Sequence, residues 1–230
     1  GDLAPTRTTV AFRAGRWRVL VVAEELPSLD EGEELLALAE SVGTTADVLN
    51  ARINLGTGRL HAGDDRGLGD LEAALEQALQ ANSHVAARAY INLASHLGSL
   101  GELGRSGQLH REGLEVARRF GDTRERWLHA ECLLDDYNAG DWAAAIDGSR
   151  AYLSEATVPG YMDVAPRAVL AVTAAARGDE SVARAEATAV LEQAREIGDP
   201  QALWPSLATC ARLALEGGRR AEAVSLVDEL

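Results

Sequence analysis

Five short pairs of a glycine and a polar residue recur along the chain at nearly constant spacing, and no other feature restricts the fold as much. Gly63-Asp64, Gly101-Glu102, Gly140-Asp141, Gly178-Asp179 and Gly218-Arg219 are 38, 39, 38 and 40 residues apart. A second set of turn signals interleaves with them at about the same period: Gly43-Thr44, Asn82-Ser83, Gly121-Asp122, Pro159-Gly160 and Gly198-Asp199. Each unit is thereby divided into two segments of similar length. Such a period marks an array whose unit is one supersecondary element that cannot bury its apolar face alone.

The segments between the turns carry helical spacing. Leu68, Leu71, Leu75 and Leu79 share one face, as do Ala183, Ala187, Val190, Ala194 and Ile197; Ala145, Ile146, Ser149 and Leu153 follow the rule more loosely. No segment alternates with period two. The chain is 47% hydrophobic but only 4% aromatic, and its abundant Ala and Leu favour helix over sheet. Asp122-Thr123 and Asp199-Pro200 read as helix caps, with Asp at the N-cap and Pro at the first helical position of the second. The expected fold is all-α: a right-handed α-solenoid of stacked helical hairpins with a period of about 38–39 residues and about twelve helices. The expected organisation is an irregular N-terminal helical pair over 1–43, then repeats 44–82, 83–121, 122–160, 161–198 and 199–230 in one continuous solenoid. From Gly15 to Gly43 is 28 residues where Gly63 to Asn82 is 19, so Leu26-Pro27-Ser28 is expected to break a helix or mark an inserted loop.

One stretch tests the repeat. ARINLGTGRLHAGD, residues 51–64, holds three glycines and an aspartate, a composition shared with phosphate-binding loops. Moved forward by 38 residues it falls on ARAYINLASHLGSLGE, so that Ile53-Asn54-Leu55-Gly56 meets Ile91-Asn92-Leu93-Ala94 and Gly63 meets Gly101. A phosphate loop needs glycines between a strand and a helix, whereas both flanks here are helical and the copy of Gly56 is Ala94. The expected roles are a close helix crossing at Gly56 and a left-handed cap at Gly63.

Gly56, Ala94 and Ala171 near the middle of the first helices, the glycine turns, and Ala145, Ala183 and Ala223 five residues after them make the chain resemble a degenerate tetratricopeptide repeat. Leu68 and Ser106 stand where two further alanines belong, and the units exceed the usual length. From Leu35 to about Asp179 the segments LNARINLGTGRLHAGDDRGLGDLEAALEQAL, HVAARAYINLAS and LLDDYNAGDWAAAI resemble the helical region of large bacterial LuxR-type and cyclase-associated ATP-binding regulators. In that family the array scaffolds and senses, while nucleotide and DNA are bound by other modules. The resemblance implies that this chain is the array alone, part of a longer protein.

Composition and motifs exclude several functions. All 22 basic residues are Arg, and the net charge is −14; so acidic a chain with no basic stripe repels phosphate backbones and anionic lipid, so neither direct nucleic acid contact nor membrane association is expected. No GxxxxGK[ST] occurs, and without Lys there is no P-loop lysine. Cys132 and Cys210 have no partner at metal or disulfide spacing, which fits a reducing cytoplasm, and the longest apolar runs, Val19 to Ala23 and Ala168 to Ala176, fall far short of a membrane span. The acidic run Glu24 to Glu34 lacks the alternating ligands and central Gly of a calcium loop. His61, His84, His96, His110 and His129 form no HExxH, and no nucleophile is placed to pair with them. No catalytic, cofactor or metal residue is expected, and no enzyme activity.

Binding is the expected activity, because first helices of such solenoids line a concave groove. In the family register Asn50, Asn54, Thr57, Arg88, Asn92, Ser95, Trp127, Glu131 and Tyr137 face it. Asn54 and Asn92 occupy one repeat position, and Arg88 adds a carboxylate-matching fork; alternatively the amides bridge neighbouring helices, and Trp127 and Tyr137 are packing. The segment VAPRAVLAVTAAARGD, residues 164–179, is apolar nearly all round. Either the groove closes there or another chain covers Ala165, Ala168, Val169, Val172 and Ala176. The function expected is a non-catalytic scaffold or sensor domain mediating contacts with protein, peptide or small-molecule ligand, or with other domains of a larger ATP-dependent transcriptional or signalling regulator. The alternative is a free-standing adaptor that docks a peptide in its groove.

Overall fold

The computed structural model describes residues 5–22, 25, 27–155 and 160–230. Ala23, Glu24, Leu26 and Pro159, named above, lie outside them. Among the described residues there are twelve α-helices, one short 3-10 turn and no strand, so the all-α expectation is met. Two compact units form, Gly1–Glu125 and Arg126–Leu230. The first holds α1 (Arg7–Val22), α2 (Leu29–Val42), α3 (Thr45–His61), α4 (Arg66–Gln80), α5 (Val85–Ser99) and α6 (Leu103–Phe120). The second is built from α7 (Glu125–Asn138), α8 (Trp142–Ser154), a 3-10 turn at Tyr161–Asp163, α9 (Val164–Ala176), α10 (Glu180–Ile197), α11 (Pro200–Glu216) and α12 (Arg220–Asp228).

The recurring glycine pairs form one kind of turn. Gly63, Gly101, Gly140, Gly178 and Gly218 have φ between 75° and 85°, a left-handed conformation that a side chain resists. The next residue then donates its amide to a carbonyl five positions back, at 2.8–3.0 Å: Asp64 to Arg59, Glu102 to Leu97, Asp141 to Asp136, Asp179 to Ala174 and Arg219 to Ala214. This is the Schellman closure of a helix end. At two of these turns the following Asp also caps the next helix, since the Asp141 and Asp179 side chains accept from the amides of Ala144 and Val182. In the other set Asn82, Gly121 and Gly198 are left-handed, but Gly43 is extended and hands over to a Thr44–Asp47 capping box. Asp199 caps α11 as expected, with Pro200 at its first turn. Asp122 caps the amide of Arg124 in a turn that precedes α7, not the helix itself.

Small residues let the hairpin helices cross closely. A Cβ on Gly56 would lie 2.9 Å from Asp70 Cβ and 3.0 Å from the Gly67 carbonyl oxygen, and one on Gly67 would strike the Gly56 carbonyl. Both glycines are therefore needed by the α3–α4 crossing, and Gly58 is needed by another contact. Trp17 of α1 lies in a slot between Gly32 of α2 and Gly58 of α3, where a Cβ would come within 2.5 and 2.9 Å of its ring. Its Nε1 donates to the Asn54 carbonyl at 3.2 Å. The expected break after α1 agrees with α2 starting at Leu29, capped by Ser28. In the α5–α6 hairpin the residue at the missing alanine position, Ser106, is buried and donates to the Ala94 carbonyl at 2.9 Å. The apolar face of α4 is shorter than its pattern: Leu71 and Leu75 are buried, but Leu79 in the last turn is 41% exposed.

In the second unit α9 is enclosed. Val169, Ala171 and Val172 are buried, with Val172 packed in a cluster with Leu213 of α11 and Tyr137 of α7. Ala165 and Ala168 are half-buried and Ala176 is exposed, so the chain's own helices cover most of this segment. An ion pair with a buried carboxylate holds the 3-10 turn in place: Arg126 Nη2, partly exposed, meets Asp163 Oδ1 at 2.7 Å, and Asp163 also accepts from the Gly160 amide at 2.9 Å. The Arg126 guanidinium lies 4.0 Å from the centre of the Tyr152 ring, whose hydroxyl donates to the Arg126 carbonyl.

Candidate functional site

The first unit gathers four of the expected residues on the face shared by α1, α3 and α5. Asn54, 3% exposed, donates Nδ2 to the Ala14 carbonyl of α1 at 3.1 Å, and its Oδ1 accepts from Arg88 Nη2 of α5. Asn50, one turn earlier on α3, accepts from Arg88 Nη1 at 2.9 Å through Oδ1 and donates to the Ala46 carbonyl at 2.9 Å. Asn92 turns to its own helix, donating to the Arg88 carbonyl at 3.0 Å. The result is a polar ladder across three helices, in which the amide oxygens on α3 hold the guanidinium of α5. The shared repeat position of Asn54 and Asn92 does not pair their amides, since each finds a nearer backbone acceptor. Thr57 also bonds back to its own helix, at the Ile53 carbonyl, and Ser95 is exposed.

This face is positive within an acidic chain. Arg88 is half-buried, and burial, together with the charges of Arg18 and Arg124, pushes its pKa down to about 9. Arg18 is exposed on α1, while Arg124 gives Nη1 to both Asp122 oxygens at 3.0 Å. Neither was expected at the site. Arg18 precedes the segment in which the repeat can be read, and Arg124 belongs to a turn.

The expected residues of the second unit are placed differently. Trp127 Nε1 donates to Glu131 Oε1 at 3.0 Å, and the Trp127 ring tilts against Tyr161 with centroids 5.7 Å apart. Tyr137 stacks on Trp142 across the α7–α8 hairpin, at 6.1 Å and 16° between planes. All three are half-buried. A cavity of about 180 Å³ lies elsewhere in this unit, among α9, α10, α11 and α12, floored by Ala183, Leu191, Cys210 and Leu213. Burial pushes the Cys210 thiol up to about 11, which keeps it protonated and unreactive near neutral pH. Among the described residues no three His, Cys, Asp or Glu side chains gather as a metal site, and no helix is long and apolar enough to cross a membrane.

No family model and no curated protein matches the sequence. Solved structures do. The apo form of the quorum sensor NprR from B. thuringiensis superposes with a TM-score of 0.68 at 16% identity, over 99% of this chain and 65% of that one. A Rap protein complexed with Competence and Sporulation Factor gives 0.72 at 13% identity, over 99% and 64%. The TPR-like repeats of a Podosopora anserina putative kinesin light chain give 0.60 at 13% identity, over 85% and 97%. The fold is that of tetratricopeptide-like helical repeats. The chain spans about two thirds of the length of the NprR and Rap chains.

Proposed function

We propose that the chain is a non-catalytic helical-repeat module that binds a peptide or protein segment along the face shared by α1, α3 and α5. The observation that carries this reading is the ladder of Asn50, Asn54, Arg88 and Asn92, because amide and guanidinium groups held in place on one helix face match the hydrogen-bonding groups of an extended peptide. The likeness to a Rap protein solved with Competence and Sporulation Factor supports it at the level of fold. Trp127 and Glu131 are proposed as contact residues of the second unit. The module serves within a larger bacterial transcriptional or signalling regulator in the cytoplasm, with nucleotide bound by another module of that protein.

Capture from a pool of short random peptides on the immobilised chain tests the binding reading. Enrichment of defined sequences that is lost in Asn54→Ala and in Arg88→Ala supports it; a folded chain that enriches nothing, or whose enrichment ignores both substitutions, overturns it. The genomic reading frame tests the context separately. An ATPase module encoded upstream supports the regulator, and a frame that encodes this chain alone returns the free-standing adaptor.

A further inference from the structure

The cavity among α9, α10, α11 and α12 joins two chemistries. Its floor of Ala183, Leu191, Cys210 and Leu213 is buried and apolar, and the Cys210 thiol spends its proton on the Ala187 carbonyl at 3.3 Å. At about 180 Å³ it has room for an apolar group of roughly the size of a benzene ring. The rim carries charges of both signs. On α10 Glu180 and Arg184 stand one turn apart, both exposed and neither in an ion pair among the described residues. On the α11–α12 side are Glu216, whose partner Arg212 is 3.4 Å away, and the pair of Arg219 and Glu222 at 2.8 Å.

Arg219 is placed by a glycine that its own backbone does not require. Gly217 has φ −80°, open to any residue, but a Cβ there would strike Arg219 Nη1. The guanidinium lies against this bare backbone, gives Nε to Glu222 at 2.8 Å and reaches the Leu213 carbonyl weakly through Nη2, at 3.5 Å. Nη1 has no acceptor among the described residues. A ligand with a single charge gains from half of such a rim and is opposed by the other half. One that carries both charges beside an apolar group matches rim and floor together. In a peptide the two charges lie at opposite ends of the chain, whereas in a free α-amino acid they flank one side chain.

We propose that this cavity is a binding site for a free α-amino acid with an apolar side chain. The side chain rests on Ala183, Leu191, Cys210 and Leu213, the ammonium faces Glu180 and Glu216, and the carboxylate is taken by Arg184 and by the open Nη1 of Arg219. The site lies wholly in the second unit and uses no residue of the peptide-binding face.

The test uses L-leucine as the probe on the full chain with labelled methyl groups, at neutral pH and constant ionic strength. The expected result is a saturable shift of the Ala183, Leu191 and Leu213 methyl resonances in the millimolar range. Leucinamide, which lacks the carboxylate, and N-acetylleucine, which lacks the ammonium, should each bind roughly tenfold more weakly, and glycine should leave the floor methyls unmoved. No saturable shift at tens of millimolar overturns the site. Equal binding of leucine and either derivative also overturns it, since the rim would then read one charge or none.

Two exposed rim positions complete the test without disturbing the core. Thr188→Trp should block the cavity and abolish the leucine response. Arg184→Gln should weaken leucine several-fold and leave leucinamide unchanged, because only leucine offers the carboxylate that Arg184 takes. Full binding by Thr188→Trp, or an Arg184→Gln effect that is absent or equal for the two ligands, overturns the assignment.

Discussion

In the first unit α3 and α5 meet across Asn50, Asn54 and Arg88, whereas in the second α9 meets α7 and α11 across Val172, Tyr137 and Leu213. The same hairpin repeat thus fills its first-helix face in two ways. Hydrogen bonds between side chains hold the first face; apolar contact closes the second. The charges follow the same division, because Arg126 of the second unit has a carboxylate at 2.7 Å and Arg88 of the first meets only amide oxygens among the described residues. The difference shows that this repeat leaves the first-helix face free to diverge, since the hairpin is secured by its turns and its small-residue crossings.

The largest effect that could break this contrast is expected from Val172→Glu. Val172 is 8% exposed, and a carboxylate there should cost about 3–5 kcal/mol or abolish folding, as read by urea denaturation. A Tm and midpoint equal to the parent's would mean that the second face is open after all. Arg126→Met comes next, because it leaves Asp163 buried without its cation. Arg126 is itself partly exposed, so we expect a loss of about 2–3 kcal/mol in the same measurement. An unchanged midpoint would remove the ion pair from the account of this unit.

Cys210 extends the contrast to alkaline pH. Its folded pKa is raised, so the folded chain holds the thiol proton that the unfolded chain releases near pH 9. The stability this contributes is fully present below about pH 9 and is lost as pH rises through about 11, by about 2 kcal/mol. Comparing the parent with Cys210→Ala at pH 8 and pH 10 isolates it; parallel losses in the two proteins would show that the thiol is not desolvated. The smallest change is predicted for Arg88→Met. With no carboxylate partner to strand among the described residues, the loss comes only from the amide oxygens of Asn50 and Asn54 left unpaired and should be about 1–2 kcal/mol, less than for Arg126→Met. A large loss from Arg88→Met would make the ladder a structural element first.

The turns were legible because a left-handed residue followed by a helix cap leaves a mark at two adjacent positions, and Gly140-Asp141 and Gly178-Asp179 carry it in full. Gly56 was legible through its copy, Ala94. Trp17 was not, since the slot that receives it is made by Gly32 and Gly58 on two other helices and no period links the three. At the candidate site the pattern located Asn50, Asn54 and Arg88 on one face, but spacing alone left open whether the amides bind a ligand or each other's helices. The structure shows the bridging, and that Arg88 meets amides and no carboxylate among the described residues emerges only in three dimensions. Asp163 was missed for a related reason: it meets Arg126 from 37 residues away, with no motif to join them.

The Schellman closures also set how the chain acquires its structure. Each spans six residues, so the link between the two helices of a hairpin is made by groups already close along the chain, and little loop entropy opposes it. Structure can therefore nucleate at any of the five turns and spread to its neighbours, without waiting for distant segments to meet. A nascent chain can fold in the order of its synthesis, one hairpin after another.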